Sequence, residues 1–428
     1  MLFRSLGFCN PPYTGHICSA CMHHHIKDTK TGACFDCTNI VGLTFRLILA
    51  LGVPLVMIIY TSVIALKKSR QYNNQNPSVE SGIKKSFMLK IIVNYVQIVS
   101  LIESIPIKWP GGVSGVMSTS NSAVSVSSNS FVISCYFREI IEDIGIPKPF
   151  ANAIFMNLVP LGYVLVTLLY WTIQLILKRK KLTIGKAFDN FIATIIIIFY
   201  NVQSMIIRTN LDLLSCDNLY RKDSPEYYLR MDYQIRCWDS QHNYWSLKIG
   251  VPLLIFWAFV GPFVLFVYLY KNRRGLGSDQ NIKNKYSYIY RGYRPERYYW
   301  EFIILLRKYA LIALIHFMND VKYAQIYFSL YIIWIAHRLQ RALHPFNHEK
   351  LNHLEELGLM CALIFNFSGM YFYGNERFAG LELFMAFVAL GANGYFFLKW
   401  LFYFSKFYRE HVRNKMLKIN IARSGVPI

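Results

Sequence analysis

The sequence predicts an all-α integral membrane protein of about nine transmembrane helices. Its N-terminus is expected outside, its C-terminus in the cytosol, with a small disulfide-stapled N-terminal cap. Three observations predict this. Apolar runs of about 20 residues recur along the 428-residue chain, and a helix of that length crosses the hydrocarbon core of a bilayer. Lys and Arg gather in alternate connections between those runs, the pattern left when positive charge is retained in the cytosol. Cysteine is confined to the opposite connections, apart from Cys361 inside a run.

The composition excludes other classes. Hydrophobic residues make up 54% and charged residues only 16%, against about 25% charged in a soluble domain. This rules out a soluble globular enzyme, a disordered chain and a nucleic-acid-binding module. The formal charge of +22 therefore reads as membrane orientation, and no nucleic acid is expected as a partner.

Three regions follow: a cysteine-rich tail over 1–39, a polytopic membrane domain over 40–404 and a basic cytosolic tail over 405–428. The expected spans are Ile40–Leu66, Phe87–Ile105, Phe150–Leu177, Phe188–Ile207, Trp245–Tyr270, Tyr298–Phe317, Tyr323–His337, Leu354–Tyr373 and Phe378–Phe404. The Phe87 and Tyr323 spans are the short or polar ones. Pro160 removes a backbone donor inside the third span and should kink it. Connections assigned to the cytosol hold 27 Lys and Arg, and those assigned outside hold roughly 13. An odd number of crossings separates the termini, as that assignment requires. The Ser-rich stretch Ser114–Ser130 reads as an outer linker. Met1–Phe8 is too short for the apolar core of a cleavable signal. Either the first span exports its own tail or the natural chain has a longer ectodomain.

Cys9, Cys18, Cys21, Cys34, Cys37, Cys135, Cys216 and Cys237 all fall on the expected outer face. An even set on one face reads as disulfides formed in an oxidising compartment. Cys216 with Cys237 is the simplest pairing for its loop. Cys18-x-x-Cys21 and Cys34-x-x-Cys37 also approach a zinc-ribbon spacing, beside His23, His24 and His25. Disulfides in a small EGF-like module are favoured over zinc, because the tail lies where disulfides persist.

The polar residues inside the spans are the candidates for function. Arg307 and Lys308 lie about 13–14 Å in from the start of their span at helical rise. Each charge there costs about 2.5–3.5 kcal/mol on the insertion scale, while each neighbouring Leu, Ile or Phe returns about 0.3–0.6. That helix should face protein or water. Glu301 shares a helix face with Lys308, and Glu355 and Glu356 in the eighth span are further acids for an ion pair. Lys90, Asn94 and Gln97 form a polar stripe on the second span, and Asn157 stands in the third. Such groups line permeation paths or tie helices together, and both readings stay open. The basic stretches Lys178–Lys181 and Lys406–Lys418 point to anionic lipid headgroups or to plain positive-inside anchoring.

Several of these residues resemble a known family. Arg294-Pro295-x-x-Tyr298-Tyr299-Trp300-Glu301, then Arg307-Lys308, His344-Pro345-Phe346 and Leu351-Asn352-x-Leu354-Glu355, resemble the membrane region of TRP-like proteins of protists and algae. These are cysteine-rich multipass proteins with EGF-like or ephrin-receptor-like ectodomains, similar to fungal TRP-like and flavin-carrier proteins. Phe87-Met88-Leu89-Lys90-Ile91, Asn94, Gln97 and Trp109-Pro110 resemble that family's early span and outer loop. Tyr13-Thr14-Gly15-His16-Ile17-Cys18 resembles the end of its cysteine-rich array. The resemblance implies a cation-permeable channel or membrane sensor, calcium-permeable and gated by tension or voltage, with cations, lipids and further copies of the chain as partners. A small-solute or lipid transporter is the first alternative, and a non-conducting receptor or structural subunit the second. No enzyme activity and no cofactor are expected. Either the plasma membrane or an endomembrane with the tail facing its lumen fits.

Overall fold

The computed structural model describes residues 9–15, 18–22, 25–27, 34–69, 77–105, 107, 109–110, 112–113, 115, 135–137, 141, 143–177, 183–219, 226–318, 321–374 and 378–424. The serine-rich stretch 114–130 falls outside them apart from Gly115, and the basic stretch 178–181 falls outside them entirely.

Helix dominates. In chain order the long helices are α1 (Ile40–Ser69), α2 (Pro77–Glu103), α3 (Lys148–Leu177), α4 (Ile184–Asp212) and α5 (Ser240–Lys271). A short helix α6 (Gln280–Tyr290) follows, then α7 (Trp300–Phe317), α8 (Lys322–Leu343), α9 (Glu349–Tyr373) and α10 (Ala379–Ser424). A long helix thus lies over each of the nine expected spans. Six of them, α1 to α5 and α10, are long and apolar enough to cross a membrane. The other three are more polar: α7 carries Glu301, Arg307 and Lys308, α8 buries Gln325, Ser329, His337 and Gln340, and α9 buries Asn352, Glu355 and Asn366.

Packing separates α1, α3, α5 and α10 from α7. The apolar helices turn large side chains outward: Phe45 and Val56 on α1, Leu161 and Leu165 on α3, Phe259 and Phe263 on α5, Leu383 and Leu398 on α10. Apolar surface on this scale needs an apolar surrounding. By contrast α7 buries Trp300, Ile304, Leu305, Leu311, Ile312 and Ile315, among others, and leaves chiefly Leu306 and Phe317 exposed. It is an inner helix, so its charges meet protein.

Two apolar clusters make up most of the core. One joins α2, α7, α8, α9 and α10 through residues such as Ile98, Ile312, Ile333, Phe365 and Phe396. The other joins α3, α4, α6 and their neighbours through Tyr163, Ile197, Tyr200 and Ile289. Helix α7 contributes to both, with Ile304 and Leu311 in the first and Leu305 in the second.

Details follow from local chemistry. Helix α3 runs through Pro160 without interruption. Helix α5 widens into π-helical turns at Ser246–Gly250 and Phe256–Val260, next to Pro252 and Pro262, whose rings disturb the regular ladder. Helix α6 starts at Asp279, whose carboxylate accepts from the Asn281 backbone N–H at 2.8 Å. Helix α8 ends at His344 in the left-handed region, φ 39°. Helix α10 continues for twenty residues past the expected end of its span, so the basic tail is its extension.

The two ends of the bundle differ. At one end sit the short antiparallel pairs β1 (Tyr13–Thr14) with β2 (Ala20–Cys21) and β3 (His25–Lys27) with β4 (Cys34–Asp36). Beside them lies a sheet of β5 (Cys216–Asn218), β6 (Tyr227–Leu229) and β7 (Asp232–Arg236). The Gln234 amide donates to Ser19 Oγ at 3.2 Å across that contact. Four disulfides staple this end: Cys9–Cys18, Cys21–Cys34, Cys37–Cys135 and Cys216–Cys237. Cys361 is free and buried in α9. At the other end the α6–α7 and α8–α9 connections pair. Arg294 N–H donates to Pro345 O at 2.8 Å, and Asn347 N–H donates to Gly292 O at 3.0 Å. Asn352 grips the Phe346 backbone on both sides, at 2.9 and 3.0 Å. Phe87, Tyr293 and Phe346 pack their rings around this junction.

Candidate functional site

A buried polar network occupies the meeting of α2, α6, α7 and α9. Lys90, Glu301, Arg307, Lys308 and Glu355 are all less than 9% exposed. Helical spacing sets the frame. Lys90, Asn94 and Gln97 stack along one face of α2, and Glu301 and Lys308 stand two turns apart on α7.

Lys90 Nζ bonds Glu301 Oε2 at 2.9 Å and donates to the Tyr288 carbonyl at 2.5 Å. The ammonium also sits 3.8 Å over the Tyr288 ring and 4.8 Å from the centre of the Phe87 ring, where the negative ring faces attract it. Tyr293 donates its hydroxyl to the same Glu301 oxygen at 2.9 Å. Arg307 Nη2 meets Glu355 Oε1 at 3.1 Å, while Arg307 Nε is buried with no hydrogen-bond partner among the described residues.

Lys308 differs from the other two cations. Its Nζ donates to Asn94 Oδ1 and Gln97 Oε1, each at 2.6 Å. Both acceptors are neutral, and no carboxylate among the described residues lies within ion-pair distance. Of the three acids offered as partners for Arg307 and Lys308, Glu355 meets Arg307, and none meets Lys308. Glu301 turns to Lys90 on another helix, which reaches it more directly than a residue two turns away on its own. Glu356 also lies outside the network, facing His337 at 3.8 Å and Arg341 at 3.6 Å on α8. Asn157 is elsewhere too, paired with Asn210 at 3.3 Å between α3 and α4.

A cavity of about 30 Å³ adjoins Lys308, room for about two waters. Lys90, Asn94, Gln97, Tyr200, Glu301 and Lys308 line it. The Tyr200 hydroxyl is buried with no hydrogen-bond partner among the described residues.

Sequence reasoning missed Tyr200, Tyr288 and Tyr293. Tyr200 lies in an apolar run and looks like core, and only the fold brings the Tyr288 carbonyl to Lys90 and the Tyr293 hydroxyl to Glu301. Tyr293 stands one residue before the motif that begins at Arg294, which was the nearest available signal.

Cys18, Cys21, Cys34 and Cys37 are divided among three disulfides, so their thiolates are not available to a metal. Cys216, Cys237 and His242 lie close together, but both sulfurs are bonded to each other. His242 faces the Leu213 carbonyl at 3.0 Å. In the β5–β6–β7 sheet Asp217 meets Arg230 at 3.1 Å and accepts from Tyr233 at 2.8 Å. Burial, then the hydrogen bond to Asp217, pushes the Tyr233 hydroxyl up to about 12.

No family model matches the chain, and no solved structure matches it. The chain is similar to "Cysteine repeat modular protein A" of Toxoplasma gondii, with 20% identity over an alignment of 369 residues. That alignment covers 72% of this chain and 12% of the relative. The chain thus spans about an eighth of the length of the curated protein it matches, a distant and partial likeness to a cysteine-repeat protein of a protist.

Proposed function

We propose that the protein is a TRP-like cation-permeable channel or membrane sensor, held closed by the buried network between α2, α7 and α9. In this reading α7, α8 and α9 also cross the membrane, giving nine spans with the disulfide-stapled end outside and the paired connections in the cytosol. The relative's name speaks of modular cysteine repeats, which suits an outer cysteine-rich segment reporting to a membrane domain.

One observation carries the proposal: Lys308 is buried against two neutral amides beside a cavity. A bundle that needed only stability would be served as well or better by an apolar residue, because burying a charge costs several kcal/mol. A costly group of this kind is expected where two packings must be close in energy. Three cations against two carboxylates argue for a gate beside the ion path, since a permeating cation would be repelled within the network. A solute transporter is the second reading, favoured by the polar cavity between α2, α4 and α7.

The test is reconstitution in liposomes with patch recording under pressure and voltage steps. Unitary currents are expected in the wild type, with gating altered or lost in Lys308→Leu. Silence in a folded, oriented preparation, with saturable solute uptake instead, would replace the channel by the transporter.

A further inference from the structure

The charges around Lys308 do not balance. The charged groups near enough to act on it are Glu301, Arg307, Glu355 and Lys90. Glu301 is taken by Lys90 and Tyr293, and Glu355 by Arg307. In its ammonium form Lys308 has no counter-charge within ion-pair distance among the described residues. An ammonium has three donors, and two of them point at Asn94 and Gln97. Because those amides present their oxygens to the ammonium, their NH₂ groups are turned elsewhere. Tyr200, 5% exposed, adds a buried hydroxyl with no hydrogen-bond partner among the described residues. All of these groups line the same cavity.

We infer that this cavity is a binding site for a small monovalent anion of about the size of chloride, held by Lys308 and the Tyr200 hydroxyl. The anion supplies the counter-charge that the fold omits. Size limits the ligand, because a space for about two waters excludes sugars, amino acids and large organic anions. Glu301 does not block it, since its charge is already answered by Lys90 at 2.9 Å. The inference does not depend on conduction: a transporter or a silent sensor would hold the anion equally well.

Binding to the folded state alone raises the unfolding temperature by mass action. The probe is chloride, with gluconate as an anion too large to enter, exchanged at fixed ionic strength and fixed sodium. The readout is thermal unfolding of the full chain in detergent or nanodiscs. Chloride is expected to raise the unfolding temperature by a few degrees, and the rise should saturate. Asn94→Asp places a fixed negative charge beside Lys308. It should fold and lose the chloride response, because the counter-charge is then built in. Tyr200→Phe should fold and need several-fold more chloride for the same rise. Equal unfolding temperatures in chloride and gluconate for the wild type would overturn the inference, leaving Lys308 as a neutral amine. A full chloride response in Asn94→Asp would overturn it as well, by moving the effect to another site.

Discussion

Lys90 and Glu301, 211 residues apart in the chain, meet at 2.9 Å between α2 and α7, with Tyr293 closing on the same carboxylate oxygen. Each side chain is only 6% exposed. Removing one member of such a pair strands the other. Glu301→Gln is expected to cost about 3–5 kcal/mol, whereas the double change Lys90→Met with Glu301→Leu should recover most of it. A double-mutant cycle on denaturant unfolding checks this. Additive single effects would mean that the pair is not coupled.

Gly292 sits against the Phe87 ring. A Cβ there would fall 2.2–2.5 Å from three ring atoms, closer than packed atoms can approach. Gly292→Ala should destabilise by about 1–3 kcal/mol through overpacking. Adding Phe87→Leu should return part of that loss by freeing the space. The check is the unfolding temperature of the single and double variants. No recovery in the double would place the strain in the backbone rather than in the ring contact.

The disulfide pattern is directly measurable. Non-reducing proteolysis with mass spectrometry should link Cys9 to Cys18, Cys21 to Cys34, Cys37 to Cys135 and Cys216 to Cys237, with Cys361 as a thiol. Free tail thiols carrying stoichiometric zinc would contradict it.

Alkali should loosen the β5–β6–β7 sheet. The Tyr233 hydroxyl is raised to about 12 in the folded chain, against about 10 for an unperturbed tyrosine. The folded form therefore holds its proton more tightly than the unfolded form. That stability is complete below about pH 10 and declines as pH rises through about 12. A phosphine reductant should open Cys216–Cys237 faster across this window in the wild type. Tyr233→Phe should show a flatter dependence. Identical profiles would remove Tyr233 from the account.

How much of this was legible in the sequence depends on which forces each segment obeys. The apolar spans of α1, α3 and α5 were readable because each meets an apolar surrounding on its own account. Helix α6 was not: it is polar overall and is held by a few buried residues, Ile282, Tyr288, Ile289 and Tyr290, that pack only once α1 and α4 are in place. The Lys90, Asn94 and Gln97 stripe and the Glu301, Arg307 and Lys308 helix were visible as buried polar groups needing partners. The partners themselves were not, because pairing across about 210 residues is decided by packing. Asn157 and Glu356 carried the same signal as Asn94 and Glu355 and found local partners instead.

The bond between Cys37 and Cys135 has a consequence for how the protein is made. Cys37 precedes α1 and Cys135 precedes α3, so the bond closes a covalent ring of chain that contains α1 and α2 entire. Both sulfurs lie at the same end of the bundle, and they can meet there only after α1 and α2 have threaded to the far end and back. On the proposed topology, oxidation follows insertion of that first hairpin. Once the ring is closed, α1 and α2 are held as one covalent unit. The bond is in effect a seal on the first completed step of assembly.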